Sequence, residues 1–200
     1  MVSPALLQWN NQRVKKLDEL FAAHSKMGGN RRGRRWNTKE INWALSLRLA
    51  GEFQGFARDL HSISCDVFAR RTSSGDPNLE NLIRGSLTLN RYLDKGNATP
   101  SGITQDFDRL GIKFWDLIEQ DSGKTKRKKW NSELELLNTA RNGIAHSDDA
   151  KISKLEAEGC RLDLAKVKSW RSNLDNLARA SDRIVGDHLS YLFKIVDPWV

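Results

Sequence analysis

Apolar residues along this chain return every three or four positions and nowhere sustain a two-residue alternation. The first stripe is Leu7, Val14, Leu17 and Phe21, opened by Ser3-Pro4, a cap residue followed by the proline that suits a first helical position. That run predicts a helix ending near Gly28-Gly29. A second, longer helix is predicted after Asn37 or Thr38, carrying Ile41, Leu45, Leu49, Phe53, Phe56, Leu60, Ile63 and Val67 and fading at Thr72 to Gly75. Asp76-Pro77 repeats the cap-proline signal ahead of Leu79, Leu82, Ile83, Leu87 and Leu93. Asp94 to Gly102 reads as a loop, and Thr104 or Asp106 as the cap of a fourth helix through Phe107, Leu110, Phe114, Trp115 and Ile118. Asp121 to Lys129 reads as another loop, followed by a fifth helix from about Ser132 to near His146 and a polar connection to Gly159. The last helix is expected from near Asp163 to about Phe193. The pattern predicts an all-α bundle of about five to six helices. The 200 residues suffice for one domain with its own core, covering 1–200.

Charge sharpens this picture through its distribution. The net +8 comes from 33 basic and 25 acidic residues. Two acid-free segments hold the excess: Lys26, Arg31, Arg32, Arg34 and Arg35 before Trp36, and Lys124, Lys126, Arg127, Lys128 and Lys129 before Trp130. Without those ten, 23 basic residues face 25 acids, so the basicity is local. Each cluster precedes a cap-like pattern, Asn37 with Glu40 and Ser132 with Glu135. Cations there face the positive end of the helix dipole, which disfavours them, so helix stability does not account for them. An anionic chain does, with an indole placed to stack on a base; the expected partner is RNA or another nucleic acid. Solvated surface charge is the plainer reading.

No apolar run approaches a bilayer span, and Met1 to Phe21 mixes Gln8, Asn10, Asn11, Gln12 and Lys15 into its apolar residues, so neither a membrane partner nor a secretory leader is expected and a cytoplasmic location is. Cys65 and Cys160 form no CxxC pair, and the Asn97-Ala98-Thr99 sequon is expected to go unused in that location. His61 and Cys65 are four apart, yet no second pair stands at zinc spacing, so a structural role is expected and no metal. Gly28 to Arg35 lacks the Lys and Ser/Thr of a phosphate loop and no strand precedes it. His24 and His188 are expected to be exposed or hydrogen-bonded.

The most informative stretch is Leu134 to His146. Leu134, Leu137, Arg141 and Ile144 share a stripe, so an arginine occupies an apolar slot and must meet a carboxylate, a polar interface or a cleft that admits an anion. Asn142 and His146 are four apart on one face, and Gly143 lets another backbone or a substrate come close. The imidazole is the group there that titrates near neutrality. Glu52 and Asp59, seven apart on the second helix, are candidate partners of Arg141 or supports of the site; surface charge is the alternative. Ser147 and Asp148 are candidate supports of His146 or a helix cap.

Arg141-Asn142-Gly143-Ile144-Ala145-His146 resembles the arginine, polar residue, three residues, histidine motif of the HEPN superfamily, and Leu136 to Asp148 with Gly51 to Leu60 resembles its RiboL-PSP-HEPN subgroup. The resemblance implies a metal-independent endoribonuclease without a cofactor, commonly a homodimer with the two motif helices lining one cleft. It implies Arg141, His146 and Asn142 as the catalytic set, 2′,3′-cyclic phosphate and 5′-hydroxyl products, and a toxin or defence effector held by an antitoxin or neighbouring partner. The competing expectations are a non-catalytic RNA-binding or protein-interaction member of the same fold, and an adaptor without nucleic acid.

Overall fold

The computed structural model describes residues 2–28 and 38–200. The described residues fold as an all-α bundle: α1 (Pro4–Gln8), a π-helical turn (Trp9–Arg13), α2 (Val14–Gly28), α3 (Lys39–Thr72), α4 (Pro77–Thr88), α5 (Tyr92–Lys95), α6 (Pro100–Asp108), α7 (Phe114–Ser122), α8 (Lys124–Ala145), α9 (Asp149–Ala157) and α10 (Leu164–Phe193). The long helices α3, α8 and α10 form the frame. Leu45, Leu49, Phe53, Phe56 and Leu60 of α3 meet Leu134 and Leu137 of α8 and Trp170, Leu174, Leu177, Val185 and Leu189 of α10 in one contiguous core. Each such aliphatic or phenyl side chain contributes about 1.5–3 kcal/mol by leaving water. No described helix is long and apolar enough to cross a membrane.

Several sequence expectations change: the expected fourth helix divides into α6 and α7, Leu93 belongs to α5 and not to the helix that Asp76-Pro77 opens, and others change for local reasons. The first helix is interrupted by one wide turn. That turn sets Trp9 in the core against Phe53 and Phe56, with its indole N–H donating to Asp175 at 3.0 Å, and sends Arg13 to α3. The expected 94–102 loop contains the start of α6, because Thr99-Pro100 is a third cap-proline pair: the Thr99 hydroxyl accepts from the Gly102 amide. Thr104 and Asp106 therefore cap nothing ahead of them. Asp106 is buried and turns back to α5, accepting from the Tyr92 and Leu93 amides at 2.9 and 2.8 Å.

A further change bears on function. Lys124 to Lys129 is not a loop but the first turns of α8, which starts after Gly123 at φ 91° with no side-chain cap. Trp130 explains the early start: it lies on the stripe of Leu134 and Leu137 and is buried with them, so helical phase extends back to it. Likewise the polar connection holds α9, capped by Asp148 and seated by buried Ile152 and Leu155.

A buried polar hub joins α3, α5 and α6. The imidazole Nε2–H of His61 donates to the Asp106 carbonyl at 2.9 Å, leaving Nδ1 to accept from Arg91 Nη1 at 3.4 Å, with the Cys65 thiol 3.5 Å away. Arg91 also binds Asp94 through Nε and Nη2 at 3.0 and 2.8 Å. Burial, aided by Arg91, lowers the His61 pKa from 6.5 to about 4, and burial raises the Cys65 thiol to about 12. Because the unfolded imidazole binds its proton first, His61 contributes stability above pH 6.5 that is lost as pH falls toward 4, about 3 kcal/mol at the acid end. Urea unfolding of wild type should weaken across that window, and His61→Gln should flatten the slope there.

Asp106 offers a second test. Asp106→Ala strips α5 of both acceptors and is expected to cost about 2–4 kcal/mol in chemical denaturation, as the two amides left behind are at least partly buried.

Candidate functional site

The motif occupies the last turn and a half of α8. A Schellman arrangement ends the helix: the Asp148 amide donates to the Gly143 carbonyl at 2.8 Å and the Ser147 amide to Ile144 at 3.2 Å, with Ser147 at φ 51°. His146 is thereby placed at the helix terminus, its ring exposed and free of hydrogen bonds to the described residues. Ser147 and Asp148 act as helix cap residues. The amide and ammonium of Lys151 hold the Asp148 carboxyl below the usual range, with His146 a smaller contributor in the same direction.

Arg141 is half-buried and meets no carboxylate among the described residues. Its Nη1 donates to the Asn142 side-chain oxygen at 3.1 Å, and that oxygen also accepts from Asn97 Nδ2 at 2.8 Å. Gln54 of α3 holds the same loop, donating to the Leu93 and Gly96 carbonyls at 3.1 and 2.6 Å, while Asn138 Nδ2 donates to the Ala98 carbonyl at 2.9 Å. The loop between α5 and α6 is thus pinned from two helices and fixes the Asn142 amide. With its oxygen engaged by two donors, the Asn142 Nδ2 group remains available as a donor.

Five residues on a helix put about 140° between Arg141 and His146, with Asn142 between them. Within one chain the guanidinium and the imidazole leave α8 on different sides, and both remain accessible to an external group.

The other candidate residues separate. Glu52 and Asp59 do not reach Arg141: Arg13 bridges them, Nη1 to Glu52 at 2.9 Å and Nη2 to Asp59 at 2.5 Å, and Arg48 also pairs with Glu52 at 2.6 Å. The Arg13 guanidinium lies on Gly55, where a Cβ would stand 2.3 Å from Nη1. Gly143 likewise serves packing, since a Cβ there would come within 2.7 Å of Ile152 Cδ1. Lys124, Lys126, Lys128 and Lys129 are exposed, and Arg127 pairs with Glu119 at 3.2 Å. Trp130 is buried and offers no face to a base, which corrects its expected stacking role. Arg31, Arg32, Arg34, Arg35 and Trp36, with the Asn37 cap, lie outside the described residues.

The Nε2–H of His188 donates to the Leu110 carbonyl at 3.2 Å, as expected for a hydrogen-bonded histidine. His24 departs from its expectation, being buried with Nε2 unpartnered. No cluster of three His, Cys, Asp or Glu able to hold a metal ion occurs among the described residues. A concavity of about 490 Å³ between α7 and α10, lined by Leu117, Asp121, Ile184 and His188, contains none of the motif; its Asp121 is occupied by Arg183 at 2.7 Å. Sequence reasoning missed Asn97 and Gln54, which position the motif. Their signal was weak, one amide in an apparent loop and one on a helix face.

No protein-family model, curated protein or solved structure matches this chain.

Proposed function

We propose that this chain is a metal-independent endoribonuclease of the HEPN type, acting as a toxin or defence effector and working as a homodimer. The observation that carries the reading is the pairing, at one helix end, of a carboxylate-free guanidinium oriented by Asn142 with an open imidazole. His146 takes the proton of a ribose 2′-OH as its oxygen attacks phosphorus, while the partner copy's imidazole protonates the departing 5′ oxygen. The products are a 2′,3′-cyclic phosphate and a 5′-hydroxyl. Arg141 offsets the charge developing on the phosphoryl oxygens, and the Asn142 amide donates to one of them. Lys124, Lys126, Lys128 and Lys129 add affinity for phosphates without reading bases. The divergence of Arg141 and His146 around α8 is why a second copy enters the reading: two motif helices side by side supply each phosphate with groups from both. An antitoxin or neighbouring defence component would hold such an activity in check.

That same divergence favours one rival, a non-catalytic RNA-binding or interaction module whose motif never assembles. The assay is cleavage of RNA and of matched DNA in EDTA. The proposal expects RNA-only cutting that survives chelation; binding without cutting supports the module.

A further inference from the structure

We propose that the outer face of α4 is a docking surface for a second copy of this chain, the two α4 helices crossing antiparallel about a two-fold axis between Gly85 and Ser86. The inference stands apart from the nuclease reading, because among the described residues α4 packs on α3 and on no other helix. The helix sits against its own apolar pattern. Toward α3 it turns Ile83 and Leu87 together with its two charges, Glu80 and Arg84, all half-buried. Arg84 bonds to Glu80 at 2.7 Å and to Asp66 of α3 at 2.6 Å. No residue of α4 is buried. Leu82 and Leu89, seven apart and so on one face, stand 70% and 67% exposed. Leu79 precedes them and Tyr92 follows, both exposed.

The composition of that face selects its occupant. Beside the leucines its exposed positions are Asn78, Asn81, Gly85 and Ser86, uncharged in a chain that is 29% charged. A nucleic acid finds no cation there and a charged partner no counter-ion, whereas two copies of an uncharged face meet without like-charge repulsion. Leu79, Leu82, Ser86 and Leu89 follow steps of three, four and three, the spacing of a seam between two helices. Gly85 is a second, independent mark. An exposed glycine inside a helix weakens it relative to alanine, and a Cβ here would meet no neighbouring atom within 4 Å. Nothing in the chain's own packing calls for it; the close approach of another helix does.

The ridge also matches its own reverse, as a two-fold contact requires: whatever one residue meets must meet it in return. Turned antiparallel about the point between Gly85 and Ser86, each Leu82 falls opposite the second copy's Leu89, and Gly85 opposite Ser86. Two small residues then lie at the crossing with a leucine pair on either side. The small pair lets the helix axes approach toward the lower end of the usual range of about 8–10 Å. From Leu79 to Leu89 the ridge is only about 15 Å long. A contact of that length stays below the roughly 1,200 Å² total of stable complexes, so association through α4 is reversible at micromolar protein.

Sedimentation equilibrium of the full chain, from low to high micromolar concentration, measures the association. Leu82→Glu with Leu89→Glu sets like charges opposite one another, and Gly85→Gln sets a long side chain at the crossing while favouring the helix of the free chain. Each should lower the mass at the top of the series about twofold, from dimer to monomer, or from tetramer to dimer where the motif helices also pair. Thermal unfolding should show both variants folded. With oxidised glutathione, Ser86→Cys should form a disulfide-linked pair at least about fivefold faster than Ser153→Cys, exposed on α9, since only the former brings two sulfurs within bonding reach. Cys65 and Cys160 are buried and do not compete. A wild-type chain that stays monomeric throughout, a mass unchanged in both α4 variants, or equal crosslinking of the two cysteines would overturn the contact. RNA cleavage measured in parallel keeps the two readings apart. Uncut RNA beside a fast Ser86→Cys crosslink leaves the α4 contact standing and removes the nuclease reading, and cutting by the doubly substituted chain at unchanged mass does the reverse.

Discussion

Replacing His146 by alanine is expected to lower single-turnover RNA cleavage by about 100- to 10,000-fold, the span a positioned acid–base group contributes. The fold should not notice. The ring is exposed and makes no hydrogen bond to the described residues, and the helix ends through backbone bonds of Ser147 and Asp148 that alanine preserves. Arg141→Ala should cost about 100- to 1,000-fold through lost charge stabilisation at phosphorus. It also frees one of the two donors to Asn142, so Asn97→Ala, which releases the other, should lower kcat less and raise KM little. Because each phosphate takes an imidazole from both copies, an equal mixture of the two variants should recover no activity, since every mixed dimer carries only one His146. Circular dichroism and thermal unfolding of each variant separate loss of chemistry from loss of fold.

The second large effect concerns the ion-pair fork between Arg13 and α3. Arg13→Ala is expected to destabilise the protein by about 3–5 kcal/mol, nearer the lower figure, because Glu52 loses a partner in a nearly water-free position and retains only Arg48. Gly55→Ala reaches the same state by another route. Its methyl would occupy the space of Nη1, and although an arginine tip can swing away, doing so parts it from both Glu52 and Asp59. Both variants should lower the urea midpoint together. At a temperature where they remain folded, cleavage should proceed at the wild-type rate, since the ion-pair fork joins the π turn to α3 and touches none of Arg141, Asn142 or His146.

The helical class and the bounds of α3 and α10 were legible from spacing and caps, whereas the short helices α5 to α7 and α9 were not. Ser3-Pro4, Asp76-Pro77 and Asp163 marked true starts, and α10 ends at Phe193 as its stripe predicts. Thr99-Pro100 carried the same signal and was hidden by the Gly, Asn and Ser around it. The early start of α8 was obscured because five cations argue against a helix N-terminus, yet Trp130 gains more by burial than those cations lose against a screened dipole. For the candidate site, the order Arg141, Asn142, His146 was readable, as was the need for Arg141 to find something other than apolar surroundings. Partners were not. Whether Glu52 and Asp59 meet Arg141 or Arg13 depends on the extra residue in the Trp9–Arg13 turn, and nothing in the apolar spacing announces that turn. Asn97 reaches Asn142 across 45 residues of chain, which periodicity does not encode.

The most direct measurement is the chemistry of the cut ends. A defined RNA strand is digested in EDTA beside a copy carrying a single 2′-deoxyribose at the scission point, and the fragments are weighed by mass spectrometry. Attack by the 2′-OH leaves a 2′,3′-cyclic phosphate on one fragment and a 5′-hydroxyl on the other, with no scission at the deoxy position. Fragments ending in 5′-phosphate and 3′-hydroxyl, or unchanged cutting at the deoxy position, would contradict it.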